Sequence, residues 1–108
     1  MVIANSLNLQ NTLDPSNKVL KDNVDYLTLY DEVNVPHIEM ERIVSVLFTR
    51  GRTSIVKLID QLARNEYDYY LQRRYVYTLM NSNILEFNVF EPISNETIVW
   101  VENEIISI

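Results

Sequence analysis

The sequence predicts a small α+β domain in which three helices are followed by a β-hairpin, with an N-terminal extension in front of them. Its 108 residues suffice for one domain. Between positions 36 and 81, apolar residues recur at the three- and four-residue spacing of amphipathic helices, whereas from Ile84 they alternate with the period of a strand. Hydrophobic residues make up 47% of the chain and charged residues 22%, which is typical of globular proteins.

The N-terminal extension, residues 1–35, carries the signals of one helix in its second half. Asp14 and Pro15 give an N-cap followed by proline at the first helical position. Apolar residues then recur at i, i+4, i+7 and i+10: Leu20, Val24, Leu27 and Tyr30. A strand over Asp25–Tyr30, where polar and apolar residues alternate, is the alternative for this segment.

The middle of the chain predicts three helices, at Ile38–Arg50, Thr53–Ala63 and Glu66–Met80. The first two carry apolar stripes at i, i+3, i+4 and i+7, and the third carries one at i, i+4 and i+8. Gly51, the only glycine, follows the first helix at the C′ position, where the left-handed conformation is needed. Suitable N-caps precede the other two: Thr53, Ser54 and Asn65.

A β-hairpin is predicted over residues 84–102. Asn81-Ser82-Asn83 ends the third helix, because asparagine tolerates the left-handed conformation. The first strand alternates apolar and polar residues, and Thr97–Val101 returns as the second. Residues 92–95 supply turn chemistry between the strands. We expect Trp100 to lie in the core of the hairpin.

This order of elements resembles the winged helix-turn-helix superfamily over residues 38–102. The segment Leu79–Glu86 has a leucine, an interval of four residues and an apolar pair, similar to that superfamily's exit from its recognition helix. The resemblance implies that residues 36–108 form a winged-helix domain with Glu66–Met80 as the recognition helix. The loop Glu91–Glu96 would then be the wing.

The resemblance also implies DNA binding, with the recognition helix in the major groove. Four residues of that helix, at i, i+3, i+4 and i+7, share a basic and aromatic face suited to bases and phosphates: Tyr70, Arg73, Arg74 and Tyr77. A phosphate clamp is expected around the second helix from cations, hydroxyls and free backbone N–H groups: Arg50, Arg52, Thr53, Ser54 and Arg64. The alternatives are a solvated helix face whose arginines pair with Glu66 or Asp68, and ordinary capping of the second helix.

Charge is segregated along a chain of net charge -6. Residues 1–41 contain seven acids and two bases, residues 42–80 seven bases and three acids, and residues 81–108 five acids and no base. The acidic total argues against a general nucleic-acid coat protein, but a basic middle can contact phosphates locally or pair with the acidic flanks. The predicted wing holds Glu91 and Glu96 and no cation, which favours protein binding over minor-groove contact.

Catalysis is not expected. The chain has no cysteine, one histidine and one glycine, which excludes thiolate sites and a glycine-rich phosphate loop. No metal or cofactor is therefore predicted. The apolar runs are too short for a membrane span and no signal peptide is recognisable, so we expect a cytoplasmic protein.

Two main hypotheses follow. The first is a DNA-binding transcriptional regulator that acts as a homodimer on double-stranded DNA, since dimers on two half-sites are the common arrangement. The second is a non-catalytic interaction subunit of a transcription or replication assembly, and a third is an acidic mimic of nucleic acid. A dimer contact is expected at residues 15–31 or at the apolar residues near the end of the sequence: Ile105, Ile106 and Ile108.

Overall fold

The computed structural model describes residues 15–102, which contain four α-helices and a three-stranded antiparallel sheet. None of the described helices is long and apolar enough to cross a membrane. The elements in chain order are α1 (Pro15–Leu27), a 3₁₀ turn (Thr28–Tyr30), α2 (His37–Arg50), β1 (Thr53–Ser54), α3 (Ile55–Leu62), α4 (Glu66–Asn81), β2 (Glu86–Phe87) and β3 (Ile98–Trp100). The predicted cap Asp14 and the isoleucines expected at a dimer contact, Ile105, Ile106 and Ile108, lie outside the described residues.

The predicted ends of α2 and α4 are confirmed to within one residue, and so is the chemistry that ends them. Gly51 is the C-cap of α2 with φ 83° and ψ -151°. Its φ is positive, but its ψ differs from that of the predicted left-handed conformation and belongs to a region that is essentially restricted to glycine. Its N–H donates to the carbonyl of Leu47 at 2.7 Å. Asn83 has φ 67°, the left-handed conformation expected after α4. The side chain of Asn65 caps the start of α4 by accepting from the backbone N–H of Asp68.

The sheet contains a strand that the periodicity does not predict. Thr53 and Ser54 form β1 instead of the first turn of α3, and they pair antiparallel with Val99 and Ile98 of β3. The predicted hairpin pairing is present, with Glu86 opposite Trp100 in the same sheet. Because β2 is only two residues long, the connection between β2 and β3 runs from residue 88 to 97. It is therefore longer than the predicted wing.

Helix α1 is confirmed as a helix, but the face it buries differs from the predicted stripe. Asn23 and Leu27 are buried and Tyr26 is half-buried. Val24, which the spacing placed on the inner face, is 51% exposed. Contacts to distant parts of the chain determine which face of α1 is buried, and the spacing of apolar residues within α1 carries no information about those contacts.

The side chain of Asn23 fixes α1 to the β2–β3 connection. Its Nδ2 donates to the carbonyls of Val89 and Glu91, both at 2.9 Å. Its Oδ1 accepts from the backbone N–H of Ile93 at 3.3 Å. One amide therefore satisfies three backbone groups of an irregular segment, as buried backbone requires.

The hydrophobic core lies between α2, α3, α4 and the sheet, and Leu27 of α1 extends it. The apolar stripes predicted for α2 and α3 supply six of its side chains: Ile43, Leu47, Ile55, Leu58, Ile59 and Leu62. The stripe predicted for α4 supplies Tyr75 and Leu79, but the fully buried apolar side chains of this helix, Val76, Tyr77 and Met80, lie outside that stripe. The fully buried apolar residues of the core include Ile43, Leu47, Ile55, Leu58, Ile59, Leu62, Val76, Tyr77, Met80, Leu85 and Val99.

Leu79 provides a test of this core. It is 3% exposed, so the substitution Leu79→Ala should lower the free energy of unfolding by about 2–5 kcal/mol through lost apolar contact and a residual cavity. The matched control is Leu29→Ala, because Leu29 is 72% exposed and its truncation should change stability by less than about 0.5 kcal/mol. Urea denaturation followed by circular dichroism measures both. Equal effects of the two substitutions would contradict the burial of the α4 face that carries Leu79.

Candidate nucleic-acid interface

The exposed face of α4 lies in the first half of the helix. Tyr67 is 79% exposed and Tyr70 57% exposed, and Arg74 is exposed on the same stripe. The guanidinium of Arg74 has no partner among residues 15–102. Tyr67 was not among the residues predicted for this face, although its spacing three residues before Tyr70 and seven before Arg74 is the spacing of one helix face. These three side chains form the α4 stripe.

The second half of α4 is covered by α1 and the turn that follows it. Tyr77 is 1% exposed, and its ring lies 5.5 Å from that of Tyr26 and 5.3 Å from that of Tyr30. Asn81 donates to Asp31 at 2.6 Å on the same side. The expectation that Tyr77 lies on the outer face with Tyr70 is therefore wrong, because α1 forms a further layer over this part of the helix. Burial also raises the pKa of Tyr77.

Arg73 belongs to this tyrosine cluster and is separated from the α4 stripe. It is half-buried, and its guanidinium carbon lies 5.5 Å from the centre of the Tyr77 ring. A hydrogen bond with Tyr77 raises the pKa of Arg73. Its buried Nε has no hydrogen-bond partner within the described part of the chain. The two adjacent arginines therefore differ, since Arg74 faces solvent and Arg73 packs against tyrosine rings.

The backbone N–H groups expected to be free at the start of α3 are already bonded. The N–H of Ile55 donates to the carbonyl of Thr97, and that of Val56 donates to the carbonyl of Asn95, both at 2.9 Å. The β2–β3 connection thus occupies the position that a phosphate would take at this helix N-terminus. The expectation of free N–H groups here is wrong.

The two hydroxyl residues of the predicted clamp are buried. Ser54 caps α3 by accepting from the N–H of Lys57 at 3.3 Å, as its position before the helix predicts. Thr53 lies in β1 opposite Val99. Thr53 is 7% exposed and Ser54 6% exposed, so their hydroxyls are not presented to a ligand.

Arg64 lies beyond the other end of α3 and forms ion pairs with two carboxylates. Its Nη1 is 3.0 Å from Asp68 and its Nη2 is 3.4 Å from Glu39. Its backbone N–H also donates to Asp68 at 3.0 Å. This arrangement matches the alternative in which the arginine pairs with an acid, and it separates Arg64 from the residues at the start of α3.

Gln72 completes a polar cluster with these groups. It is fully buried, and its Nε2 donates to Glu39 at 3.0 Å and to Asp68 at 3.3 Å. The hydrogen bond from Gln72 lowers the pKa of Glu39, together with Arg42 and Arg64. Burial by itself would raise the pKa of Asp68, but hydrogen bonds from the Arg64 N–H and Gln72 outweigh it and lower that pKa.

Arg50 and Arg52 are exposed near the end of α2 and both have intramolecular contacts. Arg50 donates to the side chain of Gln61 of α3. The guanidinium of Arg52 lies 3.8 Å over the ring of Trp100. Trp100 is only half-buried, which corrects the expectation that it belongs to the hairpin core. Both arginines keep charge at the surface, where phosphates can approach.

No protein-family model, curated protein sequence or solved structure matches this chain. Within residues 15–102, no group of three histidine or acidic side chains is placed to hold a metal ion.

The pH dependence of stability tests the cluster around Gln72. Glu39 and Asp68 have lowered pKa values in the folded state, so the unfolded chain binds more protons below their ordinary values of 4.5 and 3.8. The contribution of these two carboxylates to the free energy of unfolding is therefore fully present at neutral pH, and it is lost as the pH falls through their folded-state pKa values. Urea denaturation from pH 7 to pH 3 should show this loss as a decrease in the free energy of unfolding. The double substitution Glu39→Gln/Asp68→Asn should flatten the slope of the free energy of unfolding against pH.

The exposed pair Lys18 and Asp22 supplies the control, because its charges are 71% and 59% exposed and solvent screens them. Asp22→Asn should leave the pH dependence close to that of the parent. A double variant with an unchanged slope would contradict the assignment of the acid-sensitive stability to Glu39 and Asp68.

Proposed function

We propose that this chain is a winged helix-turn-helix protein that binds double-stranded DNA through the first half of α4. It would act as a transcriptional regulator and as a homodimer. The proposal rests on the α4 stripe, because helix-turn-helix proteins contact base edges with the N-terminal residues of the recognition helix. In this chain the exposed side chains of α4 lie between Glu66 and Arg74: Tyr67 and Tyr70 come first and Arg74 follows them on the same face, and its guanidinium has no partner among residues 15–102.

The order of elements supports the same proposal. Three helices, α2, α3 and α4, are followed by the antiparallel pair β2 and β3, which is the order on which the winged-helix resemblance depends. The start of α4 is fixed by the Asn65 cap and by the ion pair of Asp68 with Arg64. A helix presented rigidly at its N-terminal end is what groove binding requires.

The proposed interface is smaller than the sequence predicts. Arg74 is the candidate for base contact, and exposed Arg50 and Arg52 are the candidates for phosphate contact. Thr53, Ser54 and Tyr77 are buried, so the proposed interface does not include them. With so few cations per chain, a dimer on two half-sites is the arrangement that gives useful affinity.

DNA binding by Arg74→Ala tests the proposal. Fluorescence anisotropy with labelled duplexes across a salt series should show that the substitution weakens binding by about 1–3 kcal/mol and relaxes preference at one base pair if Arg74 reads a base. If it contacts phosphate instead, all sequences should weaken alike and the salt slope should fall by about one unit.

Lys21→Ala is the charge-matched control, since Lys21 is exposed on α1 and pairs with Asp25. It removes one positive charge away from the α4 stripe and should leave DNA affinity unchanged. Absence of duplex binding by the parent protein at low salt, or equal losses in the two variants, would refute the proposed interface.

A protein-interaction subunit is the second candidate, and the aromatic character of the α4 stripe favours it. Tyrosine and arginine are enriched among residues that dominate protein interfaces, and Tyr67 and Tyr70 are large aromatic side chains facing solvent. Exposed Glu66, next to Tyr67, and exposed Glu91 and Glu96 in the β2–β3 connection repel phosphate but not a basic protein surface.

This candidate predicts a different response to substitution. Tyr70→Ala should abolish co-purification of a defined partner from the native cells, with no duplex binding by the parent protein at low salt. Leu29→Ala removes an exposed apolar side chain from the turn after α1 and should retain the partner. Retention of the partner by Tyr70→Ala would contradict recognition through the α4 stripe.

A further inference from the structure

A shallow groove of about 330 Å³ lies where α3 ends and α4 begins. Tyr69 and Tyr70 form its aromatic wall, with ring centres 5.5 Å apart in an edge-to-face arrangement. Tyr69 is half-buried and packs against the core, which fixes its position, whereas Tyr70 is 57% exposed. We refer to this surface as the Tyr69–Tyr70 groove.

Two acidic side chains that line the groove have no partner within the described fold. Asp60 lies on the last turn of α3 and Glu66 on the first turn of α4, and both are exposed. Among residues 15–102, neither carboxylate forms a hydrogen bond or an ion pair. The guanidinium of Arg64, which also borders the groove, is paired with Glu39 and Asp68 instead. The groove therefore presents two uncompensated negative charges beside two aromatic rings.

This combination of groups suits a cation, and it favours arginine among the cations that a protein partner carries. A carboxylate attracts positive charge, and so does the face of a tyrosine ring. A guanidinium is planar, so it can stack on a ring and donate two hydrogen bonds to a carboxylate, whereas the ammonium of lysine is a more strongly hydrated point charge. The same two carboxylates repel phosphate, which argues against a nucleic acid as the occupant.

We propose that the Tyr69–Tyr70 groove binds an arginine side chain of a basic partner protein, with its guanidinium against the tyrosine rings and paired with Asp60 and Glu66. The assignment rests on the second candidate function, recognition of a protein, and it specifies the chemistry of that partner. It does not depend on DNA binding. Because Tyr70 belongs both to this groove and to the α4 stripe, a partner in the groove and a duplex on the stripe exclude each other.

A nuclear magnetic resonance titration with a defined probe tests the proposal. The probe is an acetylated and amidated peptide of alternating glycine and arginine, added to the isotope-labelled full-length chain at about 0.15 M salt, where long-range attraction is largely screened. Amide signals of Asp60, Glu66 and Tyr69 should shift as the peptide binds. The same peptide with citrulline in place of arginine carries no charge and should cause no shift, and a lysine peptide should bind more weakly.

Substitutions separate the groove from the overall charge of the chain. Asp60→Asn/Glu66→Gln should weaken peptide binding about five- to tenfold, because it removes two exposed charge pairs. The charge-matched control is Glu91→Gln/Glu96→Gln, since both acids are exposed in the β2–β3 connection outside the groove, and it should change affinity by less than about twofold. Tyr70→Leu should weaken binding, and Tyr70→Phe should restore it because the ring is present.

Three results would overturn the proposal. Equal losses in the two double variants would show that the peptide is attracted by the net charge of -6 and not by the groove. Equal binding of the arginine and citrulline peptides would remove the charge from the recognition. Full affinity of Tyr70→Leu, or a lysine peptide that binds as tightly as the arginine peptide, would remove the aromatic contact.

The outcome for the groove is separable from the outcome for DNA. Arg74→Ala should weaken duplex binding and retain the arginine peptide, whereas Asp60→Asn/Glu66→Gln should weaken peptide binding and retain the duplex. Peptide binding by a parent protein that binds no duplex at low salt would support the groove and refute the DNA interface. Duplex binding without peptide binding would do the reverse.

Discussion

The buried amide of Gln72 is the interaction on which the arrangement of the three central helices depends. Its Nε2 donates both to Glu39 of α2 and to Asp68 of α4, and it is fully buried. Arg42 binds Glu39 and also donates to the carbonyl of Leu62 at the end of α3. The same cluster therefore connects all three helices. Because buried polar groups are costly unless paired, such a cluster favours one geometry over its alternatives more than it adds to stability.

The β2–β3 connection is fixed by the rest of the fold from both of its ends. Asn23 of α1 binds backbone groups of residues 89, 91 and 93, while the N–H groups at the start of α3 bind the carbonyls of Asn95 and Thr97. A loop whose backbone is used in this way supports α1 and α3 and is not free to extend toward a ligand. Its acidic side chains and its backbone contacts thus point to a structural role for the predicted wing.

The sequence allowed α2, α3 and α4 to be predicted because their signals are local: an apolar stripe between a cap and a stop. Gly51 and Asn83 end two helices with positive φ, and Ser54 caps a third, as their positions predict. Strand β1 was not predicted because two residues are too few to show the two-residue alternation of a strand. Thr53 and Ser54 are also residue types that commonly cap the start of a helix. Tyr77 was misplaced because the layer that buries it comes from α1, about fifty residues earlier in the chain.

In the basic middle of the chain, composition alone does not distinguish cations that pair within the fold from cations without a partner, since residues 15–102 include both kinds. Most of its cations have contacts within the chain: Arg42 and Arg64 with acids, Arg50 with Gln61, Arg52 with Trp100, and Arg73 with Tyr77. Among residues 15–102, Lys57 and Arg74 are the bases of this region whose side chains have no partner. Charges farther apart than about 8–10 Å are largely screened at physiological salt. The net charge of -6 therefore matters less at the α4 stripe than the guanidinium of Arg74, which shares its helix face with exposed Tyr67 and Tyr70.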